Sequence, residues 1–204
     1  MTQQKERCFL KEDYSIRLAT KAECKPLLDE YHYLSKIQRG FKSKVNYGLI
    51  KDDKIVGVCI FTGFPVPELS KGLFGLERHQ QQGLWELSRL CLHPHIQNEE
   101  HNITSWFVAR GIKSLRKSQD VKAILSYADS DFHSGVIYKA LGFDYYGLSD
   151  KKKDFWILQP DSTFKKHSRG KTKGIAGEWR DRSKKHRFLK VYDKALTVRW
   201  KIIK

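Results

Sequence analysis

From Tyr14 to Tyr146 the apolar residues switch repeatedly between a period of two and a period near 3.6. A period of two fits a strand with one buried face, and a period of 3.6 fits a helix with one apolar stripe. Tyr14–Ala19 reads as a short strand. Lys21–Tyr33 reads as a helix, with Thr20 as its cap and Glu23 three residues on. Val45–Ile50 and Lys54–Phe61 flank a Lys-Asp-Asp-Lys turn and read as a hairpin. Gly63–Gly83 reads as loop, because Pro65 and Pro67 interrupt regular structure. Leu84–Leu92 alternates, placing Trp85, Leu87, Arg89 and Cys91 on one face and Glu86, Ser88, Leu90 and Leu92 on the other.

Pro94–Thr104 is polar and reads as irregular, and Ser105–Leu115 as a helix with a stripe of Trp106, Phe107, Ala109, Ile112 and Leu115. Val121–Tyr127, Phe143–Tyr146 and Phe155–Leu158 read as strands, and Ser134–Leu141 as a helix stopped by Gly142. Phe188–Tyr192 and Leu196–Ile203 are strand-like. Such alternation predicts an α/β fold, a mixed central sheet with helices on both faces. No apolar run approaches the roughly 20 residues that cross a bilayer. The N-terminal MTQQKERCFLKEDY lacks the basic and long apolar stretches of a secretory signal, so a cytoplasmic protein is expected. Cys8, Cys24, Cys59 and Cys91 form no C-x-x-C pair, which argues against a cysteine zinc site and a disulfide scaffold. Cys59 and Cys91, inside apolar runs, read as buried reduced thiols.

Charge divides the chain. Residues 151–204 hold 18 Lys and Arg against 5 Asp and Glu, and residues 1–150 hold 21 against 18. A basic block confined to one end suits a polyanion. It also contains Phe155, Trp156, Phe164, Trp179, Phe188, Tyr192 and Trp200, which a solvated disordered tail would lack. Cations neutralise phosphates and rings stack on bases, so the block suits a nucleic acid. Residues 1–160 are expected to form the catalytic domain. Residues 161–204 are expected to pack on it and contact DNA through Lys165, Lys166, Lys171, Lys173, Lys184, Lys185 and Arg187.

Several strings go beyond element order. They are Tyr31-His32-Tyr33-Leu34, Glu86-Leu87-Ser88-Arg89-Leu90, Ser126-Tyr127-Ala128-Asp129, Gly135 through Phe143 followed by Tyr146-Gly147, and Lys185-His186-Arg187-Phe188. Together they resemble the bacteriophage Mom family of adenine methylcarbamoylation proteins, on a GNAT-like acyltransferase fold. The resemblance implies double-stranded DNA as the partner and conversion of its adenine to an N6-carbamoylmethyl derivative, which shields phage DNA from host restriction. It places His32, Asp129, Tyr138 and Arg89 at catalytic positions, Ser105 and Tyr47 at cofactor contacts, and allows iron on His32 and Asp129.

One stretch departs from the acyltransferase pattern. GNAT enzymes cradle the coenzyme A pyrophosphate on a glycine-rich loop after the central strand. Here that stretch, Cys91 to Asn102, has no glycine and carries Glu99 and Glu100, so acetyl-CoA is a doubtful cofactor and the donor is unknown.

Each site residue also has a structural reading. His32 at a helix end could be a base, a metal ligand, or a histidine bonded to a carbonyl. Asp129 ends a strand, where α/β folds open their sites, or caps the next helix, for which Asp131 is the better candidate. Arg89 amid apolar residues needs a carboxylate or a phosphate, with Glu86 or Asp129 as structural partner. Tyr138 is a core tyrosine or an acid. His93, His95 and His101 read as a solvated loop, since Pro94 breaks the spacing a metal pair needs. Tyr33, Tyr47 and Phe64 are expected walls for a base held out of the stack. The rival functions are a GNAT N-acetyltransferase of a protein or small amine and a non-catalytic DNA-binding protein. Charge reversal at Lys165, Lys166, Lys171 and Lys173 is expected to weaken DNA binding and flatten its salt dependence, measured by fluorescence anisotropy across a salt series.

Overall fold

The computed structural model describes residues 11–36, 40–167 and 170–203, so Cys8 and the N-terminal decapeptide lie outside the described residues. The main sheet is built from β1 (Ser15–Leu18), β2 (Val45–Lys51), β3 (Lys54–Gly63), β4 (Leu84–Leu92), β5 (Ala123–Asp129), β6 (Asp144–Leu148) and β10 (Lys185–Val191). A second sheet holds β7 (Lys152–Leu158), β8 (Phe164–Lys166) and β9 (Gly177–Arg182). The helices are α1 (Lys21–Tyr31), α2 (Pro67–Phe74), α3 (Pro94–Glu99), α4 (Ile103–Ser118) and α5 (Val136–Ala140). None is long and apolar enough to cross a membrane, among the described residues. The mixed sheet with helices packed on it is the expected fold class.

Main-sheet order is β1-β2-β3-β4-β5-β10-β6. All its pairings are antiparallel except β4–β5. α1 begins where the sequence placed it. The Thr20 hydroxyl accepts from the Glu23 N–H, and the Glu23 carboxylate accepts from the Thr20 N–H at 2.7 Å. α2 and α3 were read as loop. Both start on a proline, Pro67 and Pro94, at the first helical turn. There the missing N–H has no intrahelical partner to lose, so proline starts a helix instead of breaking one.

α4 buries Ile103, Phe107, Val108, Gly111, Ile112 and Leu115. Ala109, assigned to the stripe, is exposed. Phe61, Phe107 and Phe188 are fully buried, each contributing roughly 1.5–3 kcal/mol of transfer free energy. Cys24, Cys59 and Cys91 are free and buried, and burial pushes the Cys91 thiol up to about 12.

Position 160 falls two residues past β7, inside the small sheet. β10 then returns to lie between β5 and β6, pairing along its full length from Lys185↔Asp129 to Val191↔Ala123. The small sheet is therefore an insertion between two neighbours of the main sheet, and the change in charge does not coincide with a structural boundary. Leu196–Ile203 is not a strand. Leu196, Val198 and Trp200 instead pack against the cluster of Leu73, Phe74, Tyr146 and Leu189.

Gly135 precedes α5 with φ +74°, and a Cβ there would meet the Phe188 ring at 2.2 Å. Gly135→Ala is expected to cost roughly 3 kcal/mol from left-handed strain and overpacking, read as a lower urea midpoint at unchanged slope. A midpoint equal to wild type would refute this account of the α5 junction.

Candidate active site

β4 and β5 run parallel and pair from Leu84↔Ala123 to Leu87↔Ser126, and there the pairing stops. Ser126 donates its hydroxyl to the Leu87 carbonyl at 3.0 Å, satisfying an acceptor at the point of parting. Beyond it lies a cavity of about 400 Å³, lined by β4 from Leu87 to Leu92 and by Tyr127 and Ala128 of β5.

The β3–β4 register explains what faces it. Leu87 pairs with Phe61 and Arg89 with Ile60, so Ser88 has no partner in the ladder and forms a bulge. Directly paired residues share a face. The bulge therefore resets the alternation read from sequence. Glu86, Arg89 and Cys91 share the face of Thr62, Ile60 and Val58, while Leu87, Leu90 and Leu92 share that of Phe61, Cys59 and Gly57. Arg89 thus stands on the α1 side with Glu86, not with Leu87. The cavity takes His32, Tyr33 and Arg89 from that side, and Thr104 and Tyr138 from the α4–α5 side. The gap passes through the sheet.

His32 caps the C-terminal end of α1, its N–H on the Leu28 carbonyl. Its Nδ1 accepts from the Leu34 N–H at 3.2 Å, which leaves the proton of the neutral ring on Nε2. Burial, then the charges of Arg89 and His133, hold its pKa down at about 4. His32 is thus a neutral hydrogen-bond donor at pH 7, with its one basic nitrogen already taken. Burial pushes Tyr33 up to about 12, with Asp129 adding to the shift and Arg89 opposing it. Burial likewise pushes Tyr138, at the cavity wall, up to about 12, against a hydrogen bond with Ser126.

Asp129 is buried at 3 % exposure, yet it is not part of the cavity lining. Its carboxylate pairs with Lys185, accepts from the Ser183 hydroxyl at 2.9 Å and accepts from the Asp131 N–H at 3.2 Å. Burial pushes its pKa up, but these three partners outweigh it and hold the group below the ordinary aspartate value. The anticipated Arg89–Asp129 pair is absent from these contacts. Arg89 donates to the Ser88 carbonyl at 2.7 Å, and the groups raising its pKa are Tyr33 and Glu86. Asp131 does not cap α5, whose N-cap is Gly135.

The pair His32 and Asp129 does not fit a metal. The His32 Nδ1 and the Asp129 carboxylate are engaged, and no group of three His, Cys, Asp or Glu with metal-binding geometry exists among the described residues. His93, His95 and His101 are not one solvated loop. His93 N-caps α3, accepting from the His95 N–H, and its Nε2 lies 3.2 Å from the Tyr31 hydroxyl.

Tyr47 and Ser105 are outside the lining. Tyr47 is buried edge-on to Phe61 with its hydroxyl bonded to Ser118, and Ser105 donates to the Asn102 carbonyl at 2.9 Å. Thr104 takes the place expected of Ser105. Phe64 stacks on Phe74 in the core, so Tyr33 is the one expected wall that lines the cavity. Of the basic candidates, Lys185 is spent on Asp129 and Lys166 on Asp154 at 2.6 Å. Arg187 donates to the Tyr146 carbonyl at 2.7 Å and covers the Trp200 ring. Lys165, Lys171, Lys173 and Lys184 are exposed.

Two contributors escaped the sequence. Phe132 and His133 line the cavity from the turn after β5, a polar stretch with no periodicity to single them out. Glu86 was visible only as a partner for Arg89. Burial raises it to about 7, against Arg89, Thr62 and Lys42. A glutamate inside an apolar strand was the signal.

A family model described as the Mom protein family matches residues 13–200. The chain belongs to the Mom protein family. Among curated proteins, no sequence matches it. Its fold is that of the GNAT acetyltransferases. A Bacillus subtilis acetyltransferase in complex with CoA is 12 % identical, with a TM-score of 0.53 over 88 % of this chain and 99 % of that one. A Streptococcus pneumoniae acetyltransferase of the GNAT family is 11 % identical, with a TM-score of 0.52 over 88 % and 99 %. The Vibrio fischeri ribosomal-protein-S5-alanine acetyltransferase is 16 % identical, with a TM-score of 0.51 over 95 % and 98 %. In this Mom family member β10 occupies the sheet position beside β5, and the small sheet is carried on the connection leading to it.

Asp129→Asn is expected to destabilise by roughly 1–3 kcal/mol, because it leaves the partly buried Lys185 ammonium without its carboxylate. Asp129→Asn combined with Lys185→Met should recover much of that loss in urea unfolding. The pair's contribution is complete above the unfolded aspartate pKa of about 3.9 and lost as pH falls through the lower folded value. A single variant as stable as wild type at pH 7 would exclude this pairing as a structural lock.

Proposed function

We propose that this chain modifies adenine in DNA, converting it to an N6-carbamoylmethyl derivative that protects phage DNA from host restriction. The observation that carries the reading is the gap through the sheet, lined on one side by His32, Tyr33 and Arg89 and on the other by Thr104 and Tyr138. Such a gap lets two reactants meet from opposite faces. In this reading the base enters on the His32 side and the group donor on the Tyr138 side. Membership of the Mom family and the exposed Lys165, Lys171, Lys173 and Lys184 support DNA as the substrate.

Adenine N6 is a weak nucleophile, because its lone pair is delocalised into the ring. Its attack needs positioning and a proton acceptor. The neutral His32 closes the inner end of a ring stack with Tyr33 and, with its basic nitrogen held by the Leu34 N–H, leaves the acceptor role to another group. Glu86, like Asp129, is outside the cavity lining, but it shares the Arg89 face next to Leu87. Burial raises it to about 7, which suits it to the acceptor role that Asp129, tied to Lys185 and Ser183, is too committed to fill. Arg89 offsets the negative charge that develops on the donor's leaving group, and Tyr138 lines the donor's side of the gap with its hydroxyl held on Ser126. In place of a glycine loop the chain has helix α3, followed by Glu100, whose carboxylate pairs with Lys51 at 3.7 Å two residues before the α4 cap Asn102. A helix ties up the N–H groups that a glycine loop would leave free for pyrophosphate, which supports a donor other than acetyl-CoA in the usual cradle.

Mass spectrometry of nucleosides from DNA of cells expressing the protein is expected to show the modified adenosine. Unmodified nucleosides together with acetyl transfer to a peptide would make it an ordinary acetyltransferase. Glu86→Gln is expected to lower the rate by about 10²-fold or more and to remove the acid limb, which in wild type has its midpoint near pH 7. Retention of that limb would remove Glu86 from proton transfer.

A further inference from the structure

His32, Tyr33 and Phe132 stack in series along the cavity, with successive centroids 4.8 and 4.5 Å apart and planes tilted by 20° and 27°. Phe132 ends the series and is 56 % exposed. Val136, also in the lining, is 67 % exposed, so the mouth carries an apolar lip. A phenyl ring left this open forgoes most of the stabilisation its burial would give, and nothing in the proton chemistry uses it.

The series is held in place. His32 is fixed by the Leu34 N–H and the Leu28 carbonyl. The Phe132 and His133 N–H groups both donate to the Asp129 carbonyl, at 3.1 and 2.8 Å, and the Asp129 side chain is locked by Lys185 and Ser183. Lys185 also stands 6.0 Å from the Tyr33 ring centroid. The rings need no rearrangement to receive another flat ring.

We infer that Phe132 is the outer step of a stacking platform that receives an unpaired base, so that the substrate nucleotide is bound extruded from its duplex. The inference rests on the reading of DNA as substrate and specifies the form in which the base arrives. Near-parallel rings offer their faces to a planar heteroaromatic, whereas an aliphatic donor group would be served by any apolar lip. Phosphates flanking the extruded base need cations at the same end of the sheet. The small sheet provides them: it leaves the main sheet after β6 and rejoins it at Lys185, opposite Asp129, where the turn to Phe132 begins. Lys184 is exposed at that junction.

The test uses two duplexes identical except at one central position, which carries either a mismatched adenine or an abasic site. In fluorescence anisotropy at fixed salt, wild type is expected to prefer the adenine duplex by about tenfold, equivalent to ~1.4 kcal/mol. Phe132→Leu keeps the apolar bulk and removes the ring, and should reduce the preference below about twofold. Phe132→Trp should retain it. Equal thermal midpoints for the three proteins would confirm that the platform, not the fold, was changed. A tenfold preference surviving in Phe132→Leu, or no preference in wild type, overturns the inference. If the preference depends on Phe132 but no modified nucleoside forms in cells, the adenine chemistry fails while the platform stands.

Discussion

Two parallel strands that stop pairing halfway create this site. After Leu87 and Ser126 the β4–β5 ladder ends, and backbone that would otherwise be sealed by hydrogen bonds borders a cavity instead. Such an opening in the middle of a sheet must satisfy its polar groups and support its free strands from elsewhere. Ser126 closes the Leu87 carbonyl, and Tyr138 bonds to Ser126 from the other side. β10 supports β5 along all seven residues. The bulge at Ser88 turns Arg89 toward α1, which gives the gap two chemically different faces. On one are an arginine, a neutral histidine and a tyrosine; on the other, a threonine and a buried tyrosine.

The Asp129–Lys185 pair connects this opening to the insertion. Lys185 is the first residue of β10 and directly follows the small sheet, so the pair fixes where the insertion rejoins the sheet. The same aspartate anchors the turn that presents Phe132 and His133. Asp129 thus clamps the structure beside the cavity, while burial raises Glu86 on the neighbouring strand to about 7. Different balances separate the two carboxyls: at Asp129 an ammonium and two further donors outweigh burial, while at Glu86 burial outweighs the charges of Arg89 and Lys42 and a hydroxyl contact at 3.5 Å from Thr62.

Neighbouring strands, not local periodicity, decide which side chains reach the cavity. Arg89 changed face because a single unpaired residue in β4 resets a two-residue period, and a bulge leaves no mark on composition. Tyr47 is on β2, with β3 between it and the β4–β5 pair, and its hydroxyl bonds Ser118 of α4, whereas the cavity opens between β4 and β5. Arg187 and Lys185 lie in a basic string, yet β10 is an inner strand, and its cations are drawn to carbonyls and a carboxylate that only neighbouring strands supply. Pro67 and Pro94 were read as breakers because the chain alone does not tell a helix start from a helix interior.

What the sequence by itself determined is the set of elements and their class. Strand and helix periods, the Thr20–Glu23 box and the Gly142 stop are local, fixed by backbone geometry and by which side chains reach across a few residues. The strings around His32, Glu86, Asp129 and Gly135 carried the family for the same reason. The tertiary structure decided which edges meet. It put β10 between β5 and β6, with residues far apart in the chain in register. It opened the gap after Leu87, and it brought Phe132 against Tyr33, 99 positions earlier in the chain. Those contacts depend on twist, bulge and the closing of long loops. Their physical origin is the need to pair every buried backbone group across the sheet, a condition that no local window of sequence contains.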